Sequence, residues 1–229
     1  MDKIVVLTGA GISAESGLST FRDSGGLWDS YDIMDVASIE GWNRNCELVL
    51  EFYNERRKQA HNAKPNAGHL ALVELERYYD VTIITQNVDN LHEKAGSSKV
   101  IHLHGELSKV RSSIDEHDVY DICDARINIG DYCKKGSQLR PHIVWFGELV
   151  PKMDEAIELA ENANIFIILG TSLAVYPAAG LIDYVPNHTP IYVVDPVKHN
   201  TIFRSSVSFI EGNATVGVPQ LVKQLIEDK

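Results

Sequence analysis

A chain of 229 residues, 44% apolar and 23% charged, has enough apolar material for a packed core, which excludes a disordered or tail-like protein. Its 32 acidic and 21 basic residues give a formal net charge of −11, a field that repels phosphate backbones and disfavours nucleic acid as a partner. Three cysteines, Cys46, Cys123 and Cys133, have no paired spacing, so the chain offers neither a disulfide framework nor a four-cysteine metal site.

The first apolar run, Ile4 to Leu7, is β-branched and leads straight into Thr8-Gly9-Ala10-Gly11, as a strand buried on both faces does in a parallel sheet. It is too short for a signal peptide, and no later run reaches the roughly 18 apolar residues of a membrane span, so a soluble cytoplasmic protein is expected. Helical patterns follow at Cys46 to Asn62 and Ala67 to Tyr78, then strands at Val81 to Thr85, Val100 to Leu103 and Ile143 to Phe146. Beyond them come a helix at Met153 to Asn162, strands at Ile165 to Leu169 and Ile191 to Val194, and a last helix at Pro219 to Glu227. The alternation predicts an α/β fold with a doubly wound parallel sheet. It breaks twice, at about 30–78 and 108–140, which points to a small lobe built from two insertions. The large lobe is then about 1–30, 79–107 and 140–229, and the small lobe about 31–78 and 108–139.

Polar clusters sit where the strands end, which is where open α/β sheets bind ligands. Gly9-Ala10-Gly11-Ile12-Ser13-Ala14 reads G-x-G-x-x-A, a tight turn whose second glycine lets backbone approach a pyrophosphate and whose small Ala14 allows close helix packing. An ordinary strand-to-helix turn has the same look. No second strand ending in an acid follows about 20 residues on, as simple hydride transfer would require. Gly25-Gly26-Leu27-Trp28 reads instead as part of a lid. Gln86, Asn87 and Asp89 can hydrogen-bond ribose hydroxyls or orient a water, or merely cap a helix. His102 and His104 share one strand face, and Gly105 gives His104 a backbone corner that makes it the better general base. Gly170-Thr171-Ser172 offers N–H and hydroxyl groups to a phosphate or ribose, with plain turn chemistry as the alternative.

Together these stretches resemble the sirtuin family of NAD-dependent protein lysine deacylases. The likeness rests on GAGISAESGLSTFR at 9–22, TQNVDNLH at 85–92, HLHGEL at 102–107, LRPHIVWFGE at 139–148 and GTSLAVYPAA at 170–179. It implies a Rossmann-like parallel sheet with helices on both faces plus a small lobe formed by two insertions. It implies NAD as cofactor, with Gly9, Ala10, Gly11 and Ala14 lining its phosphates and Phe21 and Arg22 on the cofactor loop. Gln86, Asn87 and Asp89 would hold the ribose and nicotinamide region, Gly170, Thr171 and Ser172 the adenosine half, with Asp195 and Ala214 also on the cofactor side. His104 and Asn87 would be the catalytic pair. Val144, Phe146, Gly147 and Glu148 belong to the stretch that would pair with an acylated lysine peptide as an extended strand. In the implied chemistry nicotinamide leaves, the acyl oxygen captures the ribose anomeric carbon, and His104 deprotonates a ribose hydroxyl that attacks the resulting imidate. The products are free lysine, nicotinamide and O-acyl-ADP-ribose, and Phe21 would keep water from the reacting sugar.

Tyr53 and Arg56 are i and i+3 on a predicted helix and therefore share a face. This pair resembles that of sirtuins acting on succinyl- and malonyl-lysine, a phenol and a guanidinium suited to a terminal carboxylate, while acetyl-lysine remains a substrate. A solvated basic stripe is the alternative. Most sirtuins hold a structural zinc with four cysteines; the corresponding positions here, Ser112, Asp115, Tyr132 and Lys135, contain none, so no zinc is expected. Val193 stands where an asparagine often contacts the adenine ribose, and Asp195 is the candidate replacement. A monomer is expected, without membrane partners. Two other functions use the same cofactor pocket: an NAD glycohydrolase or ADP-ribosyltransferase, and a non-catalytic NAD-binding module. The substrate segment Pro141 to Glu148 favours the deacylase over the first, and His104 favours an enzyme over the second.

Overall fold

The structure, a computed structural model, describes residues 1–19, 30–198 and 207–229. The chain runs β1 (Lys3–Thr8), α1 (Gly11–Ala14), α2 (Ile33–Val36), α3 (Ile39–Arg44), α4 (Cys46–Asn62), α5 (Ala67–Leu75), β2 (Asp80–Thr85), α6 (Leu91–Ala95), β3 (Val100–His102) and β4 (Gly105–Ser112). It continues through β5 (Val119–Asp121), β6 (Leu139–Ile143), α7 (Met153–Glu161), β7 (Ile165–Leu169), α8 (Leu181–Tyr184), β8 (Ile191–Asp195), β9 (Val207–Glu211) and α9 (Ala214–Glu227). The main sheet has six strands in the order β3-β2-β1-β7-β8-β9, every pair parallel. The chain adds β2 and β3 on one side of β1 and later β7, β8 and β9 on the other, so the carboxyl ends of β1 and β7 flank a crevice open to a ligand.

Side-chain alternation puts the two faces of each strand into different apolar layers. Ile4 and Val6 pack with Leu72 and Leu75 of α5 and Val218, Leu221 and Leu225 of α9. Val5 and Leu7 pack on the other face with Ala156 and Ala160 of α7 and Leu181 and Ile182 of α8. A separate cluster joins α4, through Val49, Leu50 and Phe52, to Leu107 and Val110 of β4 and Ile143 of β6. Here a second sheet, β5-β4-β6, is antiparallel. Among the described residues no helix is long and apolar enough to cross a membrane.

Helix α4 holds this second sheet by polar contacts as well. The Asn54 amide donates to the Ile127 carbonyl at 2.8 Å and accepts from the Ile127 N–H at 3.0 Å. The buried Arg57 guanidinium donates to the carbonyls of Leu107 at 2.6 Å and Ala125 at 3.3 Å. Where the family resemblance puts zinc ligands, Lys135 Nζ pairs with Asp115 Oδ2 at 2.5 Å. Ser112 Oγ accepts from the N–H groups of Ile114 and Asp115 and lies 2.6 Å from Ser137 Oγ, which in turn lies 3.1 Å from Cys133 Sγ. Tyr132 is exposed. Among the described residues no group of three or more His, Cys, Asp or Glu side chains is placed to hold a metal ion.

Three sequence expectations change. The run Ile143 to Phe146 is not a strand of the main sheet: β6 ends at Ile143 and pairs with β4, and the next three N–H groups go separately to His104 O, Glu148 Oε2 and Ala37 O. Strand β9 lies beyond β8, where no strand is expected. The last helix starts at Ala214 and carries Pro219 inside it, because Glu15 accepts from the Thr215 N–H at 3.0 Å and its hydroxyl at 2.8 Å, a tertiary cap that α9's own sequence does not announce. Replacing Asn54 by Ala strips both Ile127 backbone groups of their partner, and each buried unpaired group costs about 1–3 kcal/mol. Denaturant unfolding of Asn54→Ala is expected to show a loss of about 2–6 kcal/mol for the two groups together; a change under ~0.5 kcal/mol, the level of an ordinary surface substitution, would contradict this role.

Candidate active site

A cleft of about 820 Å³ lies over the carboxyl ends of β1, β2, β7 and β8 and reaches across to α4 and the segment after β6. Gly9, Ala10, Gly11 and Ala14 form one wall. The Gly9 N–H donates to Leu169 O at 3.0 Å and the Gly11 N–H to Gly170 O at 2.9 Å, which locks the turn after β1 onto the end of β7. A Cβ at Gly11 would lie 2.6 Å from Gly170 Cα, and Gly170 itself has φ +56°, so the close backbone approach explains both glycines. Thr171 and Ser172 continue the wall, and Asp195 and Ala214 complete it at the ends of β8 and the start of α9. Asp195 is buried and accepts from the Val197 N–H at 2.9 Å, whereas Val193 packs into the apolar layer. Phe21 and Arg22, with the Gly25 to Trp28 stretch read as a lid, lie outside the described residues.

Beyond β2 the polar groups form a connected set. Asn87 Nδ2 donates to Gly9 O at 3.0 Å and Ser13 Oγ at 3.2 Å, and Ser13 Oγ donates to Asp89 Oδ2 at 3.0 Å. With both amide hydrogens engaged, Asn87 offers an incoming ligand only its carbonyl oxygen. Gln86 Nε2 donates to Thr171 Oγ1 at 3.1 Å, joining β2 to β7 across the cleft floor. Burial raises the Asp89 carboxyl, and the Leu91 N–H and Ser13 hydroxyl offset only part of that shift. Ser13 is the link that sequence reading missed: a buried polar side chain within a loop of glycine and alanine was the available signal.

His104 and His102 differ although they are two residues apart. His104 Nδ1 lies 3.0 Å from Gln86 O. A carbonyl can only accept, so Nδ1 carries the proton and Nε2 is left as a base. Burial pulls His104 below its ordinary value, and the Gln86 bond resists only in part, so the ring is neutral at pH 7. Gly105, at φ +80°, makes the expected corner, and a Cβ there would lie 2.0 Å from His142 O. His102 meets an acceptor at both nitrogens, Asn87 O at 3.1 Å and Glu93 Oε1 at 2.7 Å. Burial opposes charge on His102, but the Glu93 carboxylate and its hydrogen bond outweigh burial and raise it.

Tyr53 and Arg56 line the same cleft from α4, so the basic-stripe alternative fails on position. Tyr53 is 3% exposed, burial pushes its phenol up to about 12, and its oxygen accepts from Trp145 Nε1 at 3.0 Å. Burial lowers Arg56, while the fields of Tyr53 and Asp89 support its charge. Val144, Phe146, Gly147 and Glu148 line the mouth. The Val144 N–H donates to His104 O at 3.0 Å and the Phe146 N–H to Ala37 O at 2.9 Å, so both groups are already paired within the chain. The Glu148 carboxylate accepts from Arg140 at 2.8 and 2.9 Å, from Arg111 at 3.0 Å and from the Trp145 N–H at 2.8 Å. It braces the segment from within.

A parallel sheet with this strand order and a glycine turn, ribose-type acceptors and a neutral histidine around one crevice defines a dinucleotide-binding α/β enzyme, and the volume and donor set fit such a ligand. The Sir2 family model matches residues 9–177. The NAD-dependent protein deacylase of Bacteroides thetaiotaomicron is 52% identical over 231 residues, covering 99% of both chains, and that of Helicobacter pylori is 52% identical over 227 residues, again covering 99% of both. Among solved structures, a Sir2 homologue in complex with NAD has a TM-score of 0.89 at 38% identity, covering 99% of this chain and 90% of that one. Sir2 with a p53 peptide and NAD+ has a TM-score of 0.78 at 32% identity, covering 98% and 92%. The chain belongs to the Sir2, or sirtuin, family.

The two histidines should separate in an NMR titration of their ring protons. His104 is expected to titrate below about 6.5 and His102 above it. The His102–Glu93 pair therefore contributes stability that is full below about pH 6.5 and is lost as pH rises through the His102 value in the folded protein. Coincident midpoints would contradict both assignments.

Proposed function

We propose that this chain is an NAD-dependent protein lysine deacylase that prefers succinyl- and malonyl-lysine and also accepts acetyl-lysine. The observation that carries this reading is the convergence of residues from five separate sequence stretches, with Tyr53 and Arg56, on one cleft. The names of the relatives, NAD-dependent protein deacylase, support the reaction class, and the p53 peptide bound by a structural neighbour supports a protein substrate.

NAD supplies an electrophilic sugar carbon when its nicotinamide departs, and the acyl oxygen of the modified lysine is the group that meets it. Gly9, Ala10, Gly11 and Ala14 hold the phosphates; Gly170, Thr171, Ser172, Asp195 and Ala214 hold the adenosine half. Asn87, through its free carbonyl oxygen, with Gln86 and Asp89, orients the ribose and the nicotinamide end. His104 takes a ribose hydroxyl proton at Nε2, for which its neutral state at pH 7 is the right starting form. Val144, Phe146 and Gly147 receive the peptide backbone, while Glu148 holds their conformation. At the far end of the acyl chain Tyr53 donates to a terminal carboxylate and Arg56 pairs with its charge. Phe21 and Arg22 keep the role of cofactor loop. A monomer is the working unit in this reading.

The small lobe works without zinc in this reading, held by Asn54, Arg57 and the Lys135–Asp115 pair. Metal analysis of the purified protein should find no stoichiometric zinc, and one zinc per chain would contradict it. The reaction itself is tested by kinetics on succinyl- and acetyl-lysine peptides of one sequence. His104→Ala is expected to lower kcat by about 10²–10⁴ on both, the usual worth of a general base. Arg56→Met should lower kcat/KM for the succinyl peptide at least about tenfold more than for the acetyl peptide, as the loss of a charge-assisted bond implies. Equal losses on both peptides would contradict the acyl assignment, and an unimpaired His104→Ala would remove the base.

A further inference from the structure

We infer that Trp145 is a specificity-determining residue that fixes the Tyr53 hydroxyl as a hydrogen-bond donor toward the acyl chain. This rests on the reading of Tyr53 and Arg56 as the acyl-carboxylate pair. An indole N–H can only donate, so in the 3.0 Å bond between Trp145 Nε1 and Tyr53 Oη the phenol oxygen is the acceptor. The Tyr53 proton must then point elsewhere, and among the described residues the hydroxyl has no other hydrogen-bond partner. Burial keeps the phenol protonated throughout the neutral range.

The indole cannot turn to relax this arrangement. Trp145 is 2% exposed, Arg140 Cζ stacks 3.5 Å from its ring centroid, and the residue's backbone N–H is held by Glu148 at 2.8 Å. Trp42 packs beside it with ring centroids 5.5 Å apart. Both Tyr53 and Trp145 line the cleft next to Arg56. The pocket end therefore presents one oriented O–H on the wall that Arg56 also lines. An acyl chain that ends in a carboxylate satisfies that O–H, whereas a methyl or aliphatic end leaves it buried and unpaired. The chain of contacts from Glu148 through Trp145 to Tyr53 makes the segment that receives the peptide also set the chemistry of the acyl pocket.

Trp145→Phe keeps an aromatic ring for Arg140 and Trp42 and removes the indole N–H. The measurement is the ratio of kcat/KM for a succinyl-lysine peptide to that for an acetyl-lysine peptide of the same sequence, in the full-length protein. The expected result is a fall in that ratio of about fivefold, the worth of one hydrogen bond, carried by a higher KM for the succinyl peptide. In a Tyr53→Phe background the same substitution should leave the ratio where Tyr53→Phe has already put it, since the two residues act through one bond. Three outcomes would overturn the inference. If Tyr53→Phe and Arg56→Met lower the ratio but Trp145→Phe does not, Trp145 has no part in selection while the acyl reading stands. If Trp145→Phe lowers both activities in proportion, its role is packing. If none of the three substitutions moves the ratio, the acyl reading and the inference fall together.

Discussion

The Glu148 carboxylate joins parts of the molecule that sequence distance keeps apart. It receives Arg111 from β4, Arg140 from β6 and the N–H of Trp145 from the segment beyond β6. Burial works against its charge, but the Arg140 bond and the two guanidinium fields outweigh burial and hold the carboxyl below its usual range. An ion pair this enclosed adds little net stability, yet removing one partner leaves a buried charge at a cost of about 3–5 kcal/mol. Its effect is geometric. The second sheet, the segment after β6 and, through the Trp145 indole, the Tyr53 phenol on α4 share one frame.

The same economy governs the opposite side of the cleft. Hydrogen bonds along the ends of β1 and β7 press Gly11 against Gly170, and side chains at the end of β2 then arrive already paired with the turn. Histidines two residues apart take different protonation states because of what faces them. His102 has a carboxylate at one nitrogen and a carbonyl at the other, and its charged form is favoured. His104 has a single carbonyl and an otherwise burying environment, and is neutral. A neutral base and an imidazole with a raised pKa arise from one local motif without any change of residue type.

Much of this was legible in the residues. The parallel strands β1, β2, β7 and β8 are short runs rich in β-branched and other apolar residues, as burial on both faces requires. Helix α4 was legible to the residue, with Asn45 capping its start. The second sheet was not, because a bulge between Glu106 and Val110 sets Leu107 and Val110 three apart with both buried, which breaks the period of two. The segment after Ile143 deceived for a related reason: its apolar side chains look like a strand, yet its N–H groups are satisfied by three unrelated partners. In the cleft, the residues that meet ligand chemistry stand out as polar clusters at strand ends. Those that orient them, Ser13 and Trp145, look like loop and core until their hydrogen bonds are known.

In the proposed reaction NAD and an acylated lysine react with each other within this single cleft. The direct measurement is the stoichiometry of products when the protein is given NAD with a succinyl-lysine peptide or with the same peptide unmodified. One nicotinamide and one O-succinyl-ADP-ribose should form for each lysine freed, with almost no nicotinamide released on the unmodified peptide. Equal nicotinamide release on both peptides, with plain ADP-ribose as product, would contradict it.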